Sequence, residues 1–399
     1  MSHPLDDVTG VALDQAVAAP LATRGLADLG TRVIEVERVD GGNLARGDDH
    51  VVYGIGAHFV WLNRGKESLP VEIKNDNGRA VVCRLDDRAE VFLQNLAPGA
   101  AERLRFGAAE LRPKRPELIV VNLFGYGSGG PLEHRKAYDK LVPAEAGLTS
   151  ITGTPETSVT TGIPTADIAS EMYCAQAILA ALLRRSRTGE GSTIEVSMLE
   201  ATVKSLGHAL YTQLHTGSPP PRMGLSHSST APYDAFPTRD GEVLTGVQSD
   251  SGRRALVTEA AGAPELAEDP RFATDVQRIR RRSECDALVA ARTIYWSTAA
   301  LDVELAAAGI PVAQVKESTR LPNTRNCACV IDGGSWAPSM PTSKTCFPPH
   351  HFRGSRSVHG RPTGARSARS RAAARIRYGH CRSRTSHSGR PCASGPRIR

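Results

Sequence analysis

Long apolar runs are missing from this chain of 399 residues: although 40% of it is hydrophobic, no continuous stretch reads as membrane-spanning. A chain of this size has room for two cored domains and is expected to be soluble, with no membrane partner. The opening segment, "MSHPLDDVTGVALDQAVAAP", lacks a basic n-region. Asp6, Asp7 and Asp14 interrupt its apolar residues, so cytoplasmic residence is expected rather than secretion. Cysteine is sparse in the first four-fifths of the chain, where Cys83, Cys174 and Cys285 are too scattered for a disulfide framework. No internal repeat is evident.

Acidic residues are nearly absent from the end of the chain. Residues 324–399 hold 15 Lys and Arg against one acid, Asp332, which leaves residues 1–323 with 34 basic and 41 acidic groups. The formal charge of +7 therefore describes an acidic body with a basic appendage. Periodic hydrophobicity fades from about residue 320, and 321–399 is expected to be a basic, disordered tail. Its arginines have no interleaved aromatics, Tyr378 alone following Phe352, so no specific nucleic-acid partner is expected. Cys327, Cys329, Cys346, His350 and His351 lack a paired C-x-x-C knuckle, so no metal site is expected either. A frameshift is a third account of the tail. With GC-rich codons assumed for "NTRNCACVIDGGSWAPS", one neighbouring frame can read "HPQLRVRD", of ordinary protein composition.

The body alternates helix and strand signals in the manner of an α/β domain. "APLATRGLADLG" predicts a helix closed by Gly30, and "TRVIEVER" the strand after it. "NDNGRAVVCRLDDRA" and "EVFLQNL" repeat the pair, and "GAAELRPKRP" leads into "ELIVVNLFGYGSGG". There the run from Leu118 to Leu123 has the apolar character of a strand buried on both faces of a parallel sheet. "IASEMYCAQAILAALLRRSRTGEG" predicts a long helix with Gly189 as its stop, followed by a strand, "STIEVSML". The segment 216–232, rich in Pro, Gly and Ser, reads as a linker. Beyond it, "YDAFPTRDGEVLTGVQ" is a hairpin signal and "GIPVAQVKE" a strand. The expected division is 1–215, a linker over 216–232, and a smaller α+β domain over 233–320.

Two motifs invite chemistry. "GYGSGG", Gly125–Gly130, matches G-x-G-x-x-G after a strand, but Pro131 follows and no ribose-binding acid ends a second strand. A flexible turn at the end of a sheet strand is the better account, and Ser128 is not in a G-x-S-x-G elbow. In "TGIPTADIASEMY", Asp167 stands at the start of the long helix. Spacing alone leaves two roles open, an N-cap or a reactive carboxylate, with caps the commoner use of Asp.

The segments "VERVDGGNLARGDD", "WLNRGKESLPVEIKNDNGRA", "VFLQNLAPGAAERL", "KAYDKLVPAEAGLTSITGTPE", "IPTADIAS" and "RTGEGSTIEVSMLEA" occur in this order. Together they resemble the class III coenzyme A transferases over about residues 8–318. The resemblance implies an α/β fold with a Rossmann-like, parallel-sheet CoA-binding domain, a smaller second domain and an interlocked homodimer. It makes Asp167 the nucleophile of an acyl-CoA:carboxylate CoA-transferase, acting through an aspartyl anhydride and an aspartyl-CoA thioester. The helix N-terminus beneath Asp167 is expected to favour its anion. The acyl-CoA is a substrate, as is a small carboxylic acid, and no cofactor is bound permanently. CoA contacts are implied at Gln15, Ala16, Arg38, Val71, Glu72, Ile73, Lys74, Asn95, Arg103 and Lys136. The acyl-CoA racemases of the same fold pair the aspartate with a histidine, where this chain has Tyr138. Tyrosine is a poor proton shuttle near neutral pH, which makes racemisation the alternative. In "IASEMY", Ser170 and Glu171 stand where a small residue and glycine are common. The tail also replaces the segment that returns to the first domain, so an inactive product whose tail binds polyanions is the non-enzymatic alternative.

Overall fold

A computed structural model describes residues 3–260, 262 and 264–316; the tail 321–399, with the expectations of disorder, frameshift and polyanion binding, lies outside the described residues. Six strands form where short apolar runs meet turn residues: β1 Thr9–Leu13, β2 Arg32–Glu37, β3 Glu67–Pro70, β4 Val91–Gln94, β5 Ile119–Phe124 and β6 Thr193–Ser197. They lie in the order β3-β2-β1-β4-β5-β6, and every neighbouring pair is parallel. This is a doubly wound sheet whose winding reverses between β1 and β4, and such sheets bind ligands outside the carboxyl ends of their strands at that reversal.

The connections carry helices α1 Ala18–Asp28, α2 Ala57–Asn63 and α3 Asp76–Asp86, then four short ones, α4 Ala100–Arg103, α5 Ala108–Leu111, α6 Leu141–Glu145 and α7 Leu148–Ile151. The long helix α8 Thr165–Thr188 precedes β6, and α9 Met198–Ser205 and α10 Gly207–Thr216 follow it. Alternate strand residues face opposite sides of the sheet, so both faces need cover. On one face Leu93, Ile119, Val121 and Leu123 pack with Ala22 and Leu26 of α1 and Cys174 and Ile178 of α8. On the other, Val11, Leu13, Phe92 and Val120 pack with Val82 of α3 and with Phe106 and Leu111.

Helix α8 stops at Gly189, which takes φ +74°, a conformation glycine adopts without a Cβ clash. By length and composition it is apolar enough to cross a membrane, contrary to the expectation that no stretch is, because Asp167 and Glu171 are its only charged residues before Arg184. It packs as a core helix against α1, α9 and the sheet.

A second sheet holds the hairpin β7 Tyr233–Thr238 and β8 Gly241–Gly246, with β9 Val312–Ala313 added antiparallel. Helices α11 Asp250–Ala255, α12 Asp275–Arg280, α13 Arg282–Thr293 and α14 Thr298–Ala307 accompany it, and Phe236, Val243, Val289, Leu301 and Leu305 form its core. The hairpin turn is tied to α14 because Asp240 accepts from the Thr298 N–H (2.7 Å) and hydroxyl (2.9 Å). Before this sheet, Arg222 donates to the carbonyls of Ser150, Thr154 and Pro155, which fastens residues 217–232 to the loop after α7.

Most elements lie where the sequence places them; the differences have local causes. The strand expected over "STIEVSML" ends at Ser197, whose hydroxyl accepts from the Glu200 N–H (3.2 Å) and caps α9. "GIPVAQVKE" supplies only the two-residue β9. β1 and β3, absent from the sequence reading, are short, and β3 is an exposed edge strand ending in Pro70.

Candidate active site

β1 ends at Leu13, and the chain turns through Asp14, Gln15 and Ala16 into α1. Ala16 takes φ +61°, which strains a residue with a Cβ. The turn is fastened to the loop after β4 by a reciprocal pair. The Gln15 N–H donates to Asn95 Oδ1 (2.8 Å), and Asn95 Nδ2 donates to the Gln15 carbonyl (2.8 Å). Three of the residues implied for CoA, Gln15, Ala16 and Asn95, thus meet at the reversal of the sheet.

Beneath the turn lies a buried polar network. Asp14 accepts from the Thr23 hydroxyl of α1 (2.7 Å) and from Lys66 Nζ (3.3 Å), which also donates to Asn63 Oδ1 (2.6 Å). Both charged side chains are fully enclosed, so the pair binds the β1–α1 turn to the start of β3. Next to it the Glu35 carboxyl is pushed up to about 8, first by burial and then by the Asp14 charge. Burial also acts to raise Glu37, but hydrogen bonds from Arg46, Ser68 and the Asn43 N–H outweigh it and hold Glu37 below the usual range.

Asp167 is the third residue of α8 and is 7% exposed. It is not the N-cap, the commoner of the two roles that spacing allowed. Pro164 occupies that position, and Asp139, 28 residues before Asp167, takes over its function: its Oδ1 accepts from the N–H groups of Ala166 (3.0 Å) and Asp167 (3.4 Å). The Asp167 carboxylate instead faces the Ala18 N–H at the start of α1, which acts to favour its anion. Its pKa is pushed up to about 7, chiefly by burial and next by the Asp139 charge, with the Ala18 N–H opposing both. The helix N-terminus expected to favour the anion is thus opposed at this position by burial and by the Asp139 charge. One turn further on, Ser170 is buried and donates to the Ala166 carbonyl (2.5 Å), and Glu171 lies against Gly25 of α1.

The other implied contacts lie along the carboxyl edge of the sheet. Arg38 follows β2 and is paired with Asp40 (3.0 and 2.9 Å); Lys74 acts on Asp40 and Glu72 on Arg38, so these groups form one exposed cluster. Val71 and Ile73 are half-buried after β3, where the Val71 N–H donates to the Glu37 carbonyl (2.9 Å). Arg103 and Lys136 are exposed, and among the described residues no hydrogen bond or ion pair joins either to the rest of the set. A cavity of about 570 Å³ is lined by Tyr233, Gly246, Gln248, Ser249, Gly309 and Pro311 of the second sheet and its flanking loops and by none of the site residues.

"GYGSGG" is a turn, with Gly127 and Gly129 at φ +77° and the Ser128 hydroxyl donating to Glu195 (2.6 Å). Its first glycine has a packing reason: a Cβ on Gly125 would lie 2.0 Å from the Ala137 Cβ. That close approach seats the segment carrying Asp139. Asp139, Asp14 and Lys66 are the functional-site residues that sequence reasoning missed. Asp139 stands inside the quoted "KAYDKL", yet nothing local to it signals a contact with α8.

Asp167→Asn is expected to stabilise the protein selectively at higher pH. The native carboxyl holds its proton up to about pH 7, whereas the unfolded one releases it near 4, so the native state binds more protons between those values. The contribution of Asp167 is therefore whole below pH 4 and lost as pH rises through 7. Urea unfolding at pH 5 and pH 8 checks this: the parent should lose stability relative to the variant at pH 8, and parallel behaviour refutes it.

Known proteins resemble this chain over most of its length. The family model described as CoA-transferase family III matches residues 5–331, slightly more than the 8–318 expected. The acetyl-CoA:oxalate CoA-transferase of Acetobacter aceti is 35% identical over 88% of this chain and 91% of its own. The succinyl-CoA:glutarate CoA-transferase of Mus musculus is 33% identical over 78% of this chain and 72% of its own. The crystal structure of a CAIB/BAIF family protein from Brucella suis superposes with a TM-score of 0.72 at 30% identity, covering 83% of this chain and 88% of the other. With a parallel sheet of this order, a buried aspartate at its carboxyl edge and matches spanning most of the chain, the protein belongs to CoA-transferase family III, the class III CoA-transferases.

Proposed function

We propose that the protein moves CoA from an acyl-CoA to a small carboxylic acid through covalent acylation of Asp167. The observation that carries this reading is the Asp167 carboxylate itself, buried at the reversal of the sheet and facing the Ala18 N–H. The ionised carboxylate attacks the thioester carbonyl carbon, the C–S bond breaks, and CoA leaves as the thiolate. The thiolate then attacks the aspartyl carbonyl of the mixed anhydride, which releases the donor acid and leaves an aspartyl-CoA thioester. An acceptor carboxylate attacks that thioester to form a new anhydride, and returning thiolate gives the new acyl-CoA and free Asp167. Burial limits water at the site, which protects an anhydride from hydrolysis. The Ala18 N–H is placed to hydrogen-bond the aspartyl oxygen as charge returns to it.

CoA is assigned to the carboxyl edge, its phosphates near Arg38, Lys74, Arg103 and Lys136, and its remainder along Gln15, Ala16, Val71–Lys74 and Asn95. The names of the Acetobacter and mouse relatives specify dicarboxylic acids, oxalate and glutarate, which makes a short dicarboxylate the acceptor to try first. Racemisation is not favoured, since the curated relatives are CoA-transferases and Tyr138, 67% exposed, stands where the racemase histidine would be. The two sheets support a two-domain division at 1–215 and 233–320, with 216–232 as its linker. A homodimer is supported by apolar side chains left exposed on α8 (Met172, Leu179, Leu183) and α10 (Leu210, Tyr211, Leu214).

Three measurements follow. Asp167→Ala should abolish CoA exchange between an acyl-CoA and dicarboxylates, and hydroxylamine trapping with acyl-CoA present should label Asp167 alone among the acids; undiminished exchange would remove it as nucleophile. Arg38→Ala and Lys136→Ala should each weaken CoA binding more at low than at high salt, because exposed charges are screened; binding equal to that of the parent would cancel the CoA assignments. Sedimentation equilibrium should give twice the chain mass, and replacing Leu210 and Leu214 with Ser should shift it toward the monomer. A parent sedimenting at the single-chain mass would end the dimer reading.

A further inference from the structure

We propose that Asp139 is the positioning residue of the nucleophile: it holds the first turn of α8 in place and, through its negative charge, governs the ionisation of Asp167.

The first N–H groups of a helix have no partner within it, and Pro164 offers α8 no side-chain cap. Asp139 supplies the missing acceptor from outside the helix, to the N–H of Asp167 itself and of its neighbour Ala166. A cap from the helix's own sequence would move with the helix; this one is anchored elsewhere. It belongs to the segment that Gly125 lets approach β5 through Ala137, and it precedes α6, which packs on α8. The nucleophile's backbone is therefore referenced to the carboxyl end of the central sheet.

The second half of the role is electrostatic. Asp139 Oδ1 lies 3.4 Å from the Asp167 backbone nitrogen, and burial acts on both carboxyls to disfavour charge. The elements packed on α8 bring other charged groups: Arg24 and Asp28 on α1, Glu200 and Lys204 on α9, Glu195 on β6 and Glu145 on α6. Arg24 acts on Glu171 one turn deeper, Lys204 lies over the Tyr173 ring, and Glu145 is paired with Arg135. Asp139, with Lys140 beside it, is the charged residue that acts on Asp167. The Asp139 cap thus fixes the first turn that carries the carboxylate, and its charge adds to burial in disfavouring the Asp167 anion.

The kinetic half of the inference rests on the CoA-transfer reading; the structural half does not, and the test separates them. Asp139→Asn keeps an acceptor oxygen for the two N–H groups and removes the charge, whereas Asp139→Ala removes both. In uniformly folded protein carrying ¹³C-labelled aspartate carboxyls, with Asp167→Asn for assignment, the Asp167 resonance should titrate near 7 in the parent. It should titrate lower in Asp139→Asn, by roughly half a unit to one unit, the scale of one neighbouring carboxylate. The acidic limb of the pH–kcat profile should move with it in Asp139→Asn. In Asp139→Ala the plateau itself should fall tenfold or more, as misplacement of a nucleophile does. An Asp167 titration unchanged in Asp139→Asn overturns the electrostatic role, and an Asp139→Ala plateau equal to that of Asp139→Asn overturns the positioning role. If no CoA exchange occurs with any donor while the Asp167 titration still moves, the functional reading fails and the pairing of the two acids stands.

Discussion

The Ala18 amide facing the Asp167 carboxylate is the contact on which the site depends. It joins the start of α1 to the start of α8, two helices that follow different strands but lie against the same face of the sheet. Each end of the contact is fixed independently. On the α1 side the turn is fastened by the Gln15–Asn95 pair above and the Asp14–Lys66 pair beneath; on the α8 side Asp139 holds the first turn. The carboxylate thus meets a backbone donor without depending on its own helix for the geometry.

The doubly wound topology explains why these groups, far apart along the chain, come together. Reversal of winding between β1 and β4 leaves a crevice over the carboxyl ends of those two strands, where the loops that follow them meet through Gln15 and Asn95. Strain at Ala16 is localised in this crevice and not in the strands that define it. The second sheet has its own core, so its hairpin and helices need no support from the site.

Much of the fold was legible because its longer elements carry strong local patterns. α1, α3, α8, β2, β4, β5 and the β7–β8 hairpin all lie close to their expected spans. β1 was not legible although it is central, because Thr-Gly-Val-Ala-Leu is too short and too small to show a period, and its burial comes from neighbours distant in sequence. For Asp167, the motif gave the residue and its place at the helix start, but neither its protonation nor its partners. Burial, the Ala18 N–H and Asp139 are products of folding, the last two across 149 and 28 residues, so reasoning from the local helix start could not include them. The same limit hid Asp14 and Lys66, ordinary acidic and basic residues until the sheet encloses them.

The low exposure of the Asp167 carboxyl has a thermodynamic consequence for any reaction in which that group becomes acylated. Desolvation and the neighbouring Asp139 raise the free energy of the anion, while an ester-like adduct carries no charge and escapes both effects. A pKa of about 7 in place of 3.8 corresponds to roughly 4 kcal/mol. That difference tilts the equilibrium between free carboxylate and covalent adduct toward the adduct, so that a nominally uphill exchange of thioester for anhydride approaches balance. Poor solvation of the free carboxylate is in this sense a reservoir that would keep an energy-rich bond to it within reach.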